Sequence, residues 1–426
     1  MNYEKIDMGS YHLHVIKTNR FKTITVDVNF RRKIKKEEIT IRNLLKAVLL
    51  TTNKNFLTER DLIKETENLY DLKLISSNMR IGNFSNLSFK VRFLNENYTE
   101  KGMNEYSFAF LMDILFKPDV SDGSFSKEIV DKNKKKIEKS IHQLKDNKLR
   151  YTLFKLLETV KDYPYSYNYY GDLEDLKKIS ASNLYDYYRS VLSDDEVDIF
   201  VVGDVDTEVI KKYLKTYCKL STFKKKKRDI IVKELMPRKR IRKYVEEDVA
   251  NGSQLTAFCT LNGLSDFERK YVLLVYNEML GGNSNSLLFE TVREKNSYAY
   301  YVNTSVKAYD NIMLIYAGIE SGNSDNVLRL IRKELLQVTK GNFSDDIMES
   351  AKETLVSSIK ASQDIPTGII NTYYASVLVG SDDFDERIRK IKSVTRDDII
   401  NLSKKIALHT VYLLEGISEE VCDEKN

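Results

Sequence analysis

Apolar residues recur along the chain with two periods, and the switches between them mark out the elements. Over 10–30 they alternate: Tyr11, Leu13 and Val15, then Ile24, Val26, Val28 and Phe30. A period of two belongs to half-buried strands, so this stretch predicts an early hairpin joined near Thr18-Asn19-Arg20. Over 41–51 the spacing becomes helical, with Leu44, Leu45, Val48 and Leu49 on one face. Thr58 is placed to cap a second helix, from Glu59 to Tyr70. Alternation returns over 72–94 through Leu72, Leu74, Leu87, Phe89, Val91 and Phe93. A helix from Glu105 to Phe116 is stopped by Pro118, which cannot continue it. Further helices are predicted from Ser126 to Asn147, over 150–161, and in short pieces to Tyr188. A strand from Val197 to Val202 then closes on Gly203-Asp204.

The same order then recurs. Gly123-Ser124-Phe125-Ser126 opens a helix in the first half, and Gly341-Asn342-Phe343-Ser344 opens one 218 positions later. Ser180 and Thr395 are both placed as N-caps. Each leads through a helix to a strand ending at Gly203 or Gly416. Self-similarity of this kind predicts two copies of one α/β unit, each of about 200 residues. Hairpins mixed with helices predict an α+β fold, with helices on one face of a mainly antiparallel sheet. The expected domains are 1–220 and 244–426. Between them runs STFKKKKRDIIVKELMPRKRIRK, residues 221–243, rich in Lys and Arg and holding Pro237. It reads as a linker with solvated charges; a basic module binding a polyanion through Lys224 to Arg228 and Arg238 to Lys243 is the functional alternative.

Composition narrows the class. The chain has 426 residues, 42% hydrophobic and 31% charged, so it is globular and not disordered. Sixty-eight basic residues against 63 acidic leave a net charge of +5, which is no nucleic-acid footprint. Cys218, Cys259 and Cys422 are far apart and odd in number, which fits neither a disulfide framework nor a zinc ribbon. A reducing compartment is expected. The first residues, MNYEKIDMGSYHLHVIKTNRFKT, hold no apolar core of signal-peptide length, and no run approaches about 18 apolar residues. A cytoplasmic protein without membrane contact is expected.

One stretch carries candidate chemistry: NEMLGGNSNSLLFETVREKNSYAYY, residues 277–301. An apolar helical tail breaks at Gly281-Gly282, which permit a tight turn. The polar turn Asn283 to Ser286 restarts an amphipathic helix from Leu287 to Arg293. Arg293 and Tyr300 sit seven residues apart, where helical spacing gives way to a strand-like one. Arginine offers five fixed donors and a phenol one on a rigid arm, so a helix end aiming both at one cleft could hold a peptide carbonyl. On pattern alone the stretch reads as solvated helix charges and a tyrosine strand packed on the core, with substrate contact the alternative. The loop from Tyr163 to Gly171, with five tyrosines, could line such a cleft or simply pack on the surface.

These residues resemble the M16 family of insulinase, pitrilysin and the mitochondrial processing peptidase. Three stretches carry the likeness: GGNSNSLLFETVREKNSYAYYVNTSVKAYDNIMLIYAGI, YPYSYNYYGDLEDLKKISASNLYDYYRSVLSDDEVDIFVVGDVD, and the repeated Gly-x-Phe-Ser helix start. The resemblance implies two homologous domains. Active members hold zinc through His-x-x-Glu-His on a first-domain helix and a distal Glu; the spacing puts the ligands on one helix face. Here Asn43, Lys46 and Ala47 fall where His, Glu and His would be, and Ser140 at the distal Glu. The four histidines are His12, His14, His142 and His409. His12 and His14 would share a strand face, with no third ligand at helical spacing. No metal site is therefore expected, and Lys46 would repel a dication. Arg293 and Tyr300 match a pair that grips the substrate backbone in related two-part enzymes. The implied role is the zinc-less, M16B-type subunit of a heterodimeric peptidase, binding peptide substrate while a His-x-x-Glu-His subunit brings the zinc. In isolation the chain is expected as either a monomer or a homodimer. Similar zinc-less proteins of low-GC Gram-positive bacteria are associated with 5-aminopentanol modification of elongation factor P. The other reading is a scaffold relative with no part in proteolysis.

Overall fold

The two periods fold into two sheets of the same wiring. A computed structural model describes residues 1–220, 229–250 and 252–417. The first half runs β1 (Asn2–Asp7), β2 (His12–Lys17), β3 (Thr23–Lys33), α1 (Ile39–Leu49), α2 (Glu59–Asn68), β4 (Lys73–Ile81), β5 (Phe84–Leu94) and α3 (Met103–Phe116). There follow a short ladder of β6 (Val120–Ser121) with β7 (Ser124–Phe125), then α4 (Lys127–His142), α5 (Lys148–Glu158), α6 (Leu173–Lys178), α7 (Ala181–Asp194), β8 (Glu196–Gly203) and α8 (Thr207–Tyr217). The second half runs β9 (Arg242–Val249), β10 (Gly252–Leu261), α9 (Leu273–Asn277), β11 (Ala299–Lys307), β12 (Ile312–Glu320), α10 (Ser324–Thr339), α11 (Asp345–Ser362), α12 (Pro366–Val379), α13 (Phe384–Ser393), α14 (Arg396–Ser403) and β13 (Ile406–Ile417). Thr58, Ser180 and Thr395 cap their helices as expected, each side chain accepting from an N–H in the first turn.

The sheet orders are β1-β2-β8-β3-β5-β4 and β11-β12-β10-β13-β9. Read from the other edge, the second is β9-β13-β10-β12-β11, the first without β1. In each the first two of these strands are parallel and the rest antiparallel. The predicted hairpin over 10–30 is therefore corrected. Both strands exist, but β8 lies between them, parallel to β2 and antiparallel to β3. The cause is visible in β8, whose residues 197–203 are all buried, as a central strand demands.

The chain divides into two compact units that are not contiguous halves. The first comprises 1–142, 168–230 and 362–374; the second comprises 143–167, 231–361 and 375–426. Lys148 of α5 and Pro366 of α12 are 218 positions apart, the offset of the repeat. Each copy thus lends the same element to the other copy's unit. The basic run Lys224 to Arg228 lies outside the described residues. The rest of the expected linker is partly built in: Ile230 and Val232 are buried, and Val232 N–H donates to the Tyr309 carbonyl at 2.8 Å.

Within the first unit, α1, α3, α7 and α8 bury one face of the sheet around Leu13, Val28, Phe89, Leu111 and Val201. The other face is polar and is not left to solvent. Asp27, Asn29 and Arg31 of β3, Asn86 and Ser88 of β5, and Asp198 of β8 are all buried. Several pair with one another: Ser88 donates to Asp27 at 2.6 Å and Asn86 to Asn29 at 2.8 Å. Tyr374 donates to Asn86 at 2.8 Å, and Tyr373 stacks on Tyr3.

In the second unit α5 covers the corresponding face, through Leu156 against Phe258, Leu314 and Tyr412. Tyr165 is buried in the same cluster, so that part of the tyrosine loop is core. Nearby, His409 stacks on Phe258 and accepts at Nε2 from Arg238 Nε at 2.7 Å. Burial and the charges of Arg238 and Arg242 push its pKa down to about 4. A group whose folded pKa is depressed loses stability as pH falls, because the unfolded imidazole binds its proton first. The midpoint of thermal unfolding should therefore fall from pH 7 to pH 5, and His409→Gln should flatten that dependence. A wild-type slope in the variant would contradict this.

Candidate substrate-contact site

The helix after β10 is π-helical on both sides of α9, over Glu268–Val272 and Glu278–Gly282. It ends where Gly281 leaves helical geometry. Gly281 is extended, so its small size matters more than its freedom. A Cβ there would lie 2.7 Å from Thr304 Cγ2 and 3.1 Å from the Thr304 backbone nitrogen on β11. Close approach lets Thr304 Oγ1 donate to the Asn277 carbonyl at 3.2 Å. At Gly282 a Cβ would meet chiefly the Glu278 carboxylate, which can move. Gly281→Ala should cost about 1–3 kcal/mol by overpacking. Chemical denaturation checks this, and Thr304→Ala should recover part of the loss.

The polar turn follows the sequence expectation. Asn283 Oδ1 accepts from Asn285 N–H at 2.7 Å, and buried Ser286 donates to the Asn283 carbonyl at 2.6 Å. The next helical turns, Phe289–Glu294, bury Val292 and turn Glu290 and Arg293 outward. Arg293 stays about half exposed, its guanidinium 4.7 Å above the Phe289 ring. Ser297 takes left-handed backbone at φ 54°, its N–H donating to the Arg293 carbonyl at 2.9 Å. Tyr298 N–H donates to the Val292 carbonyl at 3.1 Å, closing the helix end.

Tyr300 then occupies a β-bulge. Ala299 pairs with Ile319 and Tyr301 with Gly318, so one extra residue stands between the paired positions. Bulges re-aim a side chain out of the strand alternation. Tyr300 is 64% exposed. Tyr301 anchors the strand instead: its hydroxyl donates to Gln254 at 2.5 Å, and its ring lies over Gly318, where a Cβ would come within 2.5 Å. The segment therefore has a fixed backbone and two outward polar side chains, a guanidinium and a phenol. Sequence spacing singled out both residues; the bulge that exposes Tyr300 carries no signal in the sequence.

Residues 178–355 match the family profile described as "Peptidase M16 inactive domain". The chain is 28% identical to the "Probable inactive metalloprotease YmfF" of Bacillus subtilis, over 98% of both chains. The chain is similar to inactive members of the M16 peptidase family. A conserved protein from Enterococcus faecalis has a similar solved structure, with 25% identity and a TM-score of 0.90 over 98% of this chain and all of that one. The peptidase M16 inactive domain from Pseudomonas fluorescens shares the fold, at 13% identity and a TM-score of 0.79, covering 98% and 99%.

The positions expected to match the zinc motif hold an amide, an ammonium and a methyl group. Asn43 is buried, donating to the Tyr169 carbonyl at 2.9 Å and accepting from Asn78 at 2.9 Å. Lys46 is half-buried, and burial pushes its pKa down. The Ala47 carbonyl accepts from Thr51 at 2.8 Å. Ser140 is exposed on α4 and donates to the Lys136 carbonyl. The polar α4 side chain turned toward α1 is Asn133, buried and donating to Thr51 at 3.1 Å. Its spacing from Val130 and Ile137 was the signal that could have found it.

His12 and His14 do share a strand face, and a carboxylate joins them from 184 residues beyond His14. Asp198 Oδ1 lies 3.6 Å from His12 and 3.1 Å from His14, while Oδ2 faces Arg31 at 3.4 Å. Burial would raise the Asp198 pKa; the His14 hydrogen bond and the Arg31 charge outweigh it and hold it below its ordinary value. A guanidinium at that carboxylate repels a cation. Among the described residues no group of three or more His, Cys, Asp or Glu is placed to hold a metal, and no helix is long and apolar enough to cross a membrane.

Proposed function

We propose that this chain is the zinc-less subunit of a two-chain M16 peptidase acting on peptides in the cytoplasm. One observation carries the reading: Arg293 and Tyr300 project outward from a backbone otherwise tied into the second unit. Their donors would hold the peptide carbonyl and then the negative charge it develops when water attacks. A partner with His-x-x-Glu-His would hold the zinc and acidify that water. The residues of α1 are unsuited to that task, since a locked amide, an ammonium and a methyl group offer no set of zinc donors.

The test is to co-purify the chain with such a partner and follow cleavage of unstructured peptides. Cleavage should need both chains and should be lost on chelation. The chain alone, monomer or homodimer, should be inert; chelator-sensitive hydrolysis by it alone would sink the proposal. An inert co-purified complex would favour a scaffold role.

A further inference from the structure

The polar face of the first sheet ends in a hollow that this peptidase reading does not use. Its volume is about 330 Å³, within the range of small-ligand sites. Thr25, Arg92 and Lys73 stand in one cross-strand row on β3, β5 and β4, and Lys90 and Ile75 form part of the next. Ile365, Pro366 and Thr367, the start of α12, close it over.

Three features converge on an anion. The first is the cation set: Lys90 is paired with Asp27 at 3.0 Å, Lys73 with Asp71, and Arg92 stands as a third cation against those two carboxylates. Asp364, beside the helix start, is taken up by Arg20. The second is the start of a 14-residue helix, where Pro366 has no N–H and the Thr367 and Gly368 N–H groups have no acceptor within the helix. The third is Thr25: it is 0% exposed, lines the hollow, and its Oγ1 meets no hydrogen-bond partner. A buried hydroxyl left unpaired is destabilising, and a ligand oxygen would relieve it.

The rest of the lining sets the body of the ligand. Ile75 and Ile365 are both more than half exposed, and Pro366 adds further apolar surface. One net positive charge suits a monoanion better than a phosphate dianion. We propose that this hollow binds a monocarboxylate carried on a branched aliphatic body. The carboxylate would sit between Arg92, Thr25 Oγ1 and the α12 N-terminus. A free acid and the C-terminal residue of a peptide share this chemistry. A free amino acid does not, because its ammonium would meet the surplus cation.

Calorimetric titration of the full chain tests this with 4-methylpentanoate, N-acetyl-leucine, the amide of each, and leucine. Both carboxylates should bind, and the amides and leucine at least about tenfold more weakly. If 4-methylpentanoate is the tighter ligand the source is a free acid; if N-acetyl-leucine is, it is a peptide end. Arg92→Gln, on the surface, should weaken binding about tenfold. Thr25→Val should also weaken it, yet leave the unliganded protein as stable or more so, since the orphan hydroxyl is gone. The proposal fails if neither acid binds, if the amides bind as well as the acids, or if either substitution leaves affinity unchanged.

Discussion

Asp195→Ala is expected to cost the first unit about 3–5 kcal/mol, the loss typical of stripping one partner from a buried ion pair. Asp195 follows α7 and is 2% exposed. One oxygen accepts from Arg42 Nη2 at 2.6 Å and the other from Arg32 Nε. Arg42 is the critical partner. It sits on α1, 1% exposed, and its other hydrogen bonds go to neutral acceptors, the Phe30 carbonyl at 2.7 Å and the Tyr187 hydroxyl at 3.4 Å. A guanidinium cannot shed its proton, so without Asp195 a full charge stays buried. Arg32 is better insured, since it also reaches Glu38 and the Ser190 carbonyl. Urea unfolding followed by a probe in the first unit checks the magnitude. The double variant Arg42→Met/Asp195→Ala should recover most of the loss, because it removes the stranded charge as well. A single-variant loss below about 1 kcal/mol would show that solvent reaches Arg42.

That pair also shows where sequence reading stops. The repeat, the element order and the caps were legible, because period and N-cap chemistry are local. Pairing is not local. The alternation of β2 and β3 says that both are strands, but their separation by β8 depends on a segment some 180 residues away. The polar face of the first sheet was hidden for a related reason. Asp27, Asn29 and Arg31 read as the solvent side of a strand, and they are buried because 362–374 comes from the other half of the chain. At the candidate site, the Arg293/Tyr300 spacing was visible, and the M16 resemblance gave it meaning. Ser140 illustrates the opposite case. It was expected at the distal Glu position and lies exposed on α4, while Asn133 is the α4 side chain buried against Thr51.

Arg293→Ala should lower the kcat of the proposed two-chain enzyme by about 10²–10³, the range for removing one oxyanion donor, with a smaller effect on KM. Arginine offers several donors on a rigid fork and stays charged, so Arg293→Lys should restore only part of the activity. Tyr300→Phe removes one hydroxyl and keeps the ring, so a drop of about tenfold to a hundredfold is expected. Neither change should disturb folding. Tyr300 is 64% exposed and Arg293 about half exposed, and exposed substitutions usually stay within about 0.5 kcal/mol. Unfolding curves and co-purification yields should therefore match wild type, which separates a substrate role from a structural one. The division between kcat and KM then decides how the pair acts. A loss confined to KM would mean that it grips the peptide equally in the ground and transition states. A loss in kcat would mean that its donors meet the carbonyl oxygen mainly once charge has developed there. Full activity in both variants would remove the pair from the chemistry.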